Sequence, residues 1–143
     1  LQNYEGIQDG FDLIVSNPPY FQNSFKPPKQ ERIAPRHTTL LSFEDLLVHA
    51  HRLSNTRGRL SVILPEAEGK LFCELAKEKT WYLTRQTVFK SRAFKPIERL
   101  LLEFERERKK EIEEKELVLY EKDETWSLDY QMLTKDFYLK NNL

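Results

Sequence analysis

The chain has 143 residues, 39% of them hydrophobic, with 23 basic against 23 acidic side chains and hence no formal net charge. This length and composition suit one ordinary domain with a buried core, and neutrality excludes nucleic-acid binding through overall charge alone. A single cysteine, Cys73, excludes an internal disulfide and a multi-cysteine metal site, and no apolar stretch approaches the ~20 residues of a membrane span.

The first predicted elements are a strand and a helix. Residues 11–16 are apolar and rich in branched side chains, and the prolines that follow end them, as expected of a buried parallel strand. Residues 40–55 have apolar side chains at helical spacing, and Ser42 with Asp45 three residues later matches a capping box. We expect residues 55–58 to end this helix.

A second strand and a second helix follow. Residues 59–64 form another short apolar run that ends at Pro65, and residues 68–79 repeat the helical spacing. The alternation of strand and helix predicts right-handed crossovers, and therefore a parallel sheet with helices on both of its faces.

The last part of the chain predicts an antiparallel end to the sheet. Residues 82–89 and 97–105 are strand-like, and the connection between them is too short for a helical crossover, so we expect a hairpin that finishes the sheet. The mixed-charge residues 106–116 indicate a solvated turn or extended strand tips, and residues 117–120 a further edge strand. A short helix after Asp129 is predicted from three residues on one helical face, Tyr130, Leu133 and Phe137.

The motif with the clearest chemistry is Asn17-Pro18-Pro19-Tyr20, followed by Phe21, at the carboxyl end of the first strand. Carboxyl ends of parallel strands are where open α/β sheets bind ligands. Two prolines fix two φ angles and remove two amide donors, which leaves a stiff stretch of carbonyl acceptors. The Asn17 side chain and the Pro18 carbonyl can accept both hydrogens of a planar NH₂ group, while Tyr20 and Phe21 offer faces for stacking.

This strand and motif resemble the fourth motif of class I S-adenosylmethionine-dependent amino-methyltransferases, which act on adenine N6, cytosine N4 or a glutamine amide. The resemblance implies that Asn17 and Pro18 hold the exocyclic amine and aim its lone pair at the sulfonium methyl group. It places Pro19 in the same catalytic bend, lets Tyr20 stack on a flipped base, and puts Asn17 beside the cofactor as well. Positioned acceptors would then stabilise the positive charge that develops on the amine.

Two groups of basic residues are candidates for phosphate contacts. The first group lies in residues 22–37, where three prolines argue against a regular helix. Together with the preceding Phe21, the predicted substrate-binding residues are Lys26, Lys29, Arg32, Arg36 and His37. A second group lies in the predicted hairpin and consists of Arg85, Lys90, Arg92, Lys95 and Arg99. Aromatic residues lie among both groups, which favours unpaired nucleic acid over a duplex groove; they are Phe21, Phe25, Phe89 and Phe94.

A longer pattern narrows the resemblance. The segments F-D-L-I-V-S-N-P-P-Y-F, R-H-T-T-L-L-S-F-E-D-L-L, G-R-L-S-V-I-L-P and L-T-K-D-F-Y-L are together similar to bacterial tRNA adenine-N6 methyltransferases that act on a valine tRNA. The similarity implies the C-terminal part of a Rossmann-like class I sheet, in which parallel strands with helices end in an antiparallel hairpin. It also implies a tRNA substrate with an unpaired target base, and it places Arg36 and His37 near the active site.

The family's cofactor-binding features lie outside the matching region. The resemblance places a Gly-rich turn after the family's first strand and an acidic residue at the end of its second, whereas the four glycines here form no G-x-G. Leu1 is no initiator, and the only methionine is Met132. We therefore expect residues 1–143 to be a single partial domain, the substrate-side half of a longer enzyme. Alone, it should neither bind S-adenosylmethionine nor turn over, and its exposed sheet edge favours self-association.

Two other functions remain open at this point. A glutamine N5-methyltransferase for a protein substrate would use the same motif, because an amide also presents a planar NH₂ group, and a non-catalytic RNA-binding module could keep the strand order alone. His49 and His51 lie on different helical faces and form no local metal pair, so we expect no metal. Cys73 is predicted to be a packing residue of a cytoplasmic protein. Pro65 and Glu66 face the same edge as Asn17, where they either touch substrate or only end a strand.

Overall fold

The computed structural model describes residues 9–19 and 42–138. They contain a five-stranded sheet in the order β1-β2-β4-β3-β5, with strands β1 (Phe11–Ser16), β2 (Ser54–Leu64), β3 (Tyr82–Lys90), β4 (Arg99–Glu105) and β5 (Glu113–Val118). The described helices are α1 (Phe43–Leu53), α2 (Glu66–Glu78) and α3 (Leu128–Thr134). None of these described helices has the length and apolar character needed to cross a bilayer.

The first strand and the first helix cap agree with the sequence prediction. β1 has the predicted bounds and pairs in parallel with β2. The Ser42 Oγ accepts from the Asp45 amide at 3.0 Å, and the Asp45 carboxylate accepts from the Ser42 amide at 3.3 Å, so the capping box is formed. α1 ends directly in β2 at Ser54, so residues 55–58 belong to the strand instead of closing the helix.

The main core lies on one face of the sheet, where both crossover helices, α1 and α2, pack, whereas the short α3 reaches the other face through Asp129 and Leu133. Alternate residues of the two central strands point into this core; they are Leu60, Val62 and Leu64 of β2 with Leu100, Leu102 and Phe104 of β4. Phe72 of α2 joins the layers, since its ring centroid lies 5.2 Å from that of Phe43 in α1 and 5.6 Å from that of Phe104. Both crossovers, β1 to β2 and β2 to β3, advance in the same direction across the sheet, so right-handedness places both helices on the same side.

The β3–β4 hairpin is confirmed, but it does not finish the sheet. β4 lies between β2 and β3, and β5 pairs in parallel with the outer side of β3. This last strand overlaps the predicted edge strand of residues 117–120 but begins earlier, inside the charged run predicted as a turn or extended strand tips. Opposite charges pair across it, since Arg85 Nε donates to Glu113 at 2.8 Å and Lys90 Nζ to Glu116 at 2.6 Å. Charged side chains also suit an edge strand exposed to water.

Arg106 connects the end of α1 to the sheet at the edge opposite the Asn17-Pro18 bend. Its Nη2 donates to the Ser54 hydroxyl at 2.9 Å and to the His51 carbonyl at the last turn of α1. Its guanidinium carbon lies 5.6 Å from the centroid of the Trp81 ring, and the Trp81 indole donates to the Leu47 carbonyl at 3.2 Å. A cation at a helix C-terminus is also favoured by the helix dipole. The cluster therefore holds α1 on the sheet through charge, hydrogen bonds and ring contact together.

Replacing Arg106 by alanine should lower the free energy of unfolding by about 2–3 kcal/mol, because the charged hydrogen bonds and the cation–π contact are lost together. Urea unfolding followed by Trp fluorescence measures the change. Arg108→Ala removes an exposed arginine from the same turn and serves as the control. Equal unfolding midpoints for the two variants would contradict this role of Arg106.

The stability of the protein should fall as the pH is lowered through the histidine range. Burial, and then the nearby Arg106 charge, lowers the pKa of His51 from its ordinary value of 6.5. The unfolded chain therefore binds this proton more readily than the folded one, so stability is present above pH 6.5 and decreases below it. His51→Gln should flatten the plot of unfolding free energy against pH in this range, whereas an unchanged slope would refute the assignment.

Candidate functional site

The proline bend at Asn17 and the segment at Pro65 lie at one edge of the sheet, which we call the carboxyl edge. β1 and β2 are parallel, with Ser16 opposite Val62, so Asn17 and Pro65 both follow strand ends on this side. Leu64 is opposite Leu100, at the start of β4, and the end of β3 lies beside it. The connection between β3 and β4, residues 91–98, and the segment after β5, residues 119–127, therefore emerge at the same edge.

The proline bend after β1 combines a buried anchor with an exposed amide. Pro18 is buried, whereas Asn17 and Pro19 are exposed. Neither proline has an amide hydrogen, so the main chain here offers acceptors only. This arrangement presents the Asn17 side chain to solvent from a backbone whose freedom is already restricted. The remaining predicted residues of this site lie outside the described residues; they are Tyr20, Phe21, Lys26, Lys29, Arg32, Arg36 and His37.

Close backbone contact with β2 fixes the position of β1. A Cβ atom on Gly58 would lie 2.7 Å from the Phe11 carbonyl oxygen and 2.7 Å from the Ser54 Cβ, so only glycine fits here. Gly10 has a positive φ of 71° just before the strand. On the exposed side, Asn55 Nδ2 donates to Asp12 Oδ1 at 2.5 Å. The contacts at Gly58 and Asn55 therefore fix the start of β1 against β2, and this fixes the position of the bend that follows the other end of the strand.

Glu66 has a structural role in the first turn of α2. Its carboxylate accepts from Lys70 Nζ at 2.6 Å, an i,i+4 pair. Pro65 occupies the N-cap position of the same helix. These contacts favour the interpretation of Pro65 and Glu66 as a strand exit and helix entry.

The second basic group is only partly brought to the carboxyl edge. Lys90 and Arg99 lie at the strand ends there, and Arg92 and Lys95 lie in residues 91–98, but Arg85 lies in the middle of the sheet. The hydrogen bond to Glu113 raises the pKa of Arg85, which shows that this cation is already partnered. Lys90 pairs with Glu116 at 2.6 Å, and Arg92 pairs with Glu124.

The structure has an aromatic cluster near the carboxyl edge that was not predicted from the sequence. The Trp126 ring lies 5.4 Å from Tyr130 and 5.0 Å from Tyr138, measured between centroids. The Tyr130 and Tyr138 hydroxyls are 3.4 Å apart, and this hydrogen bond raises the pKa of Tyr130. Ser127 caps α3 and donates its hydroxyl to the Val118 carbonyl at 2.5 Å, which ties the cluster to β5. The signal that could have revealed it is the pair of aromatic residues, Trp126 and Tyr130, close to the N-cap Ser127 in the sequence.

The face of the sheet opposite α1 and α2 carries an open apolar groove of about 640 Å³. Its walls include Val15, which is 71% exposed, together with Ile63 and Leu101. Its lining also contains charged side chains: Glu103, which accepts from Ser61 Oγ and Arg59 Nη1 at 3.4 Å each, and Arg85, Lys115, Glu116 and Asp129. Because Arg85, Lys115 and Glu116 are held in ion pairs with Glu113 or Lys90, the groove suits packing of apolar side chains better than binding of a planar amine.

Histidine and cysteine side chains contribute no further site in the described ranges. Within residues 9–19 and 42–138, no three side chains of His, Cys, Asp or Glu lie together as metal ligands. Cys73 packs against the core, and burial raises the pKa of its thiol to about 11, so it is a neutral packing residue at physiological pH.

The sequence is similar to curated tRNA1(Val) (adenine(37)-N6)-methyltransferases. It is 39% identical over 129 residues to that of Pectobacterium carotovorum, with 90% of this chain and 52% of the relative covered. For the proteins of Trichodesmium erythraeum and Aliivibrio salmonicida the identities are 38% and 39%, with 98% and 90% of this chain and 59% and 54% of each relative covered. The chain thus spans about half the length of these relatives, and the resemblance drawn from its motifs is confirmed. No family model matches the chain.

A solved structure shares the fold. A predicted O-methyltransferase from Agrobacterium tumefaciens superposes with a TM-score of 0.64 at 17% identity, covering 89% of this chain and 52% of that one. The mixed five-stranded sheet with its helices is therefore a methyltransferase-like α/β fold, compatible with the C-terminal part of a class I enzyme.

Gly58→Ala should separate β1 from β2, because the added methyl group collides with the Phe11 carbonyl and not with a flexible side chain. The overpacking should cost about 1–3 kcal/mol in the free energy of unfolding. Hydrogen exchange should show lost protection in β1. Gly69→Ala is the matched control, since its Cβ meets only Leu100 side-chain atoms, the nearest at 2.9 Å. Equal protection of β1 in both variants would show that the close approach at Gly58 does not position this strand.

Proposed function

We propose that this chain is the amine-binding part of a tRNA adenine-N6 methyltransferase that transfers a methyl group from S-adenosylmethionine to an unpaired adenine. The observation that carries the proposal is the Asn17-Pro18-Pro19 bend at the carboxyl end of a parallel strand, with Pro18 buried and Asn17 exposed. The names and the identity of the relatives support the choice of substrate. In this proposal residues 1–143 are the substrate-side part of one domain, acting on tRNA in the cytoplasm.

The bend would act by holding the reacting nitrogen. The Asn17 side-chain oxygen and the Pro18 carbonyl accept the two N6 hydrogens, which fixes the amine and turns its lone pair out of the base plane. As the new nitrogen–carbon bond forms, positive charge grows on N6 next to these two oxygens, and their attraction for it increases. The methyl–sulfur bond would break as the nitrogen–carbon bond forms, which would leave the sulfur uncharged, and the acidified N6 proton would pass to solvent water, so no strongly basic side chain is required. Tyr20 stacks on the base in this proposal, as the resemblance implies.

The three glycines of the described residues form no Gly-rich turn for the cofactor. A Cβ atom would lie 2.7 Å from the Asn55 backbone at Gly10, 2.7 Å from the Phe11 backbone at Gly58 and 2.9 Å from Leu100 at Gly69. All three glycines therefore serve close packing, and none opens a turn toward a ligand. S-adenosylmethionine supplies the methyl group when bound, and the contact of Asn17 with it stays a prediction.

The test is transfer of a labelled methyl group by the protein expressed from its complete reading frame, with bulk tRNA as the acceptor. Asn17→Ala should lower kcat at least about 100-fold, because a positioned polar group at the developing charge is lost. Thr56→Ala, an exposed polar residue in β2 at the opposite edge, is the control and should keep full activity.

Each other result identifies a different function. Label that appears on a protein glutamine instead of tRNA would replace this proposal with a glutamine N5-methyltransferase. Binding of tRNA without transfer to any acceptor would leave a non-catalytic RNA-binding module. Full activity of Asn17→Ala would remove the amine-holding role from the bend.

A further inference from the structure

Residues 91–98, which we call the β3–β4 loop, lie at the carboxyl edge together with the proline bend. The strand order separates β1 from β4 by two strand spacings and from β3 by three. At about 4.8 Å between neighbouring strands, the loop begins and ends roughly 10–15 Å from the end of β1. A nucleotide strand whose target base is bound at Asn17 would reach this loop within about four nucleotides of that base, at a stacked rise of roughly 3.4 Å per nucleotide.

The β3–β4 loop is a rigid support for an exposed aromatic side chain. The Lys95 amide donates to the Arg92 carbonyl and the Glu98 amide to the Phe89 carbonyl, both at 2.9 Å. The Glu98 carboxylate accepts from the Ser91 amide at 3.3 Å, which closes the loop from inside. Phe94 stands at the top with 79% of its surface exposed. A fixed backbone of this kind loses little freedom when a flat ligand covers the ring.

A cation without an acidic partner lies beside the ring. Lys95 Nζ is 5.7 Å from the Phe94 centroid, and no carboxylate of the described residues lies within ion-pair distance of it. Arg92 differs, because it pairs with Glu124 while its guanidinium lies 5.6 Å from the Tyr120 centroid. Ring and ammonium group together therefore offer a stacking face and one free positive charge.

A groove of about 470 Å³ runs from Phe94 toward the segment after β5. Its lining contains the basic residues Arg92 and Lys122 and the acidic residues Glu116, Glu121 and Asp129. Lys95 is not among the lining residues, so a phosphate held by Lys95 lies outside this largely acidic groove, beside the Phe94 ring.

We propose that Phe94 stacks on an unpaired base that flanks the target nucleotide, and that Lys95 contacts the phosphate of that nucleotide. This inference rests on the proposed function and adds a second RNA contact at the same sheet edge as Asn17. Stacking on an aromatic face tolerates any base, so the contact determines affinity and placement of the strand more than base identity.

The test compares variants of the complete protein in methyl transfer to tRNA and in binding of a labelled RNA hairpin with an unpaired loop. Phe94→Ala should raise the KM for tRNA about ten-fold, within the range for loss of one stacked base, and leave kcat nearly unchanged. Phe94→Trp should restore KM, whereas Phe94→Leu should not, because leucine is apolar but cannot stack.

The phosphate contact has its own readout. Lys95→Ala should reduce the slope of log affinity against log salt by about one. Lys110→Ala is the matched control, since it removes an exposed lysine from the turn between β4 and β5 at the opposite edge, and it should leave the slope unchanged. Equal slopes for the two lysine variants would overturn the contact.

The outcomes separate this inference from the proposed function. If the wild-type protein methylates tRNA but Phe94→Ala and Phe94→Leu keep its KM, the stacking contact is refuted and the enzyme assignment stands. If the wild-type protein neither methylates nor binds RNA, both fail together. If Phe94→Ala instead impairs binding of a protein acceptor, the surface is a protein-docking site and the RNA contact is wrong.

Discussion

The close approach of β1 to β2 at Gly58 is the constraint on which the site depends. The Phe11 carbonyl and the Ser54 side chain occupy the space that any larger residue would need, so the two parallel strands are held at one register. That register places Asn17 at the carboxyl edge, next to the entry of α2. Pro18 is buried there, and the bend is stiff because its two prolines have no freedom in φ.

The same edge gathers groups that are far apart in the chain. β3 and β5 run in the same direction as β1 and β2 and end at this side, so the β3–β4 loop and the segment after β5 join the bend that follows β1. At the opposite edge, Arg106 fastens α1 to the sheet through Ser54 and the ring of Trp81. The two edges therefore differ: contacts at one edge hold α1 on the sheet. The other edge exposes the Asn17 amide, the Phe94 ring and the Lys95 ammonium group, which has no carboxylate partner among the described residues.

Several ion pairs of the described residues join neighbouring strands of the sheet. Glu103 lies under Arg59 and Ser61, and Glu113 accepts from Arg85 on the neighbouring strand. The pKa of Glu113 is lowered, first by its hydrogen bond with Lys115 and then by that with Arg85. At the carboxyl edge Lys90 and Arg92 are already paired with Glu116 and Glu124, which is why the position of Lys95 matters more than the number of basic residues.

The sequence by itself determined the local features: β1 with its proline stop, the capping box of α1 and the apolar stripes of α1 and α2; it also supplied the motif for which we propose amine binding. Each depends on neighbours within a few residues, which a linear pattern contains. Only the tertiary structure decided that α1 and α2 share one face, that the predicted last edge strand begins as early as Glu113, and that Arg106 meets Trp81. These outcomes depend on crossover direction and on contacts between distant segments. No local pattern encodes them, and for the same reason only the structure showed that Phe94 and Asn17 lie at the same edge of the sheet.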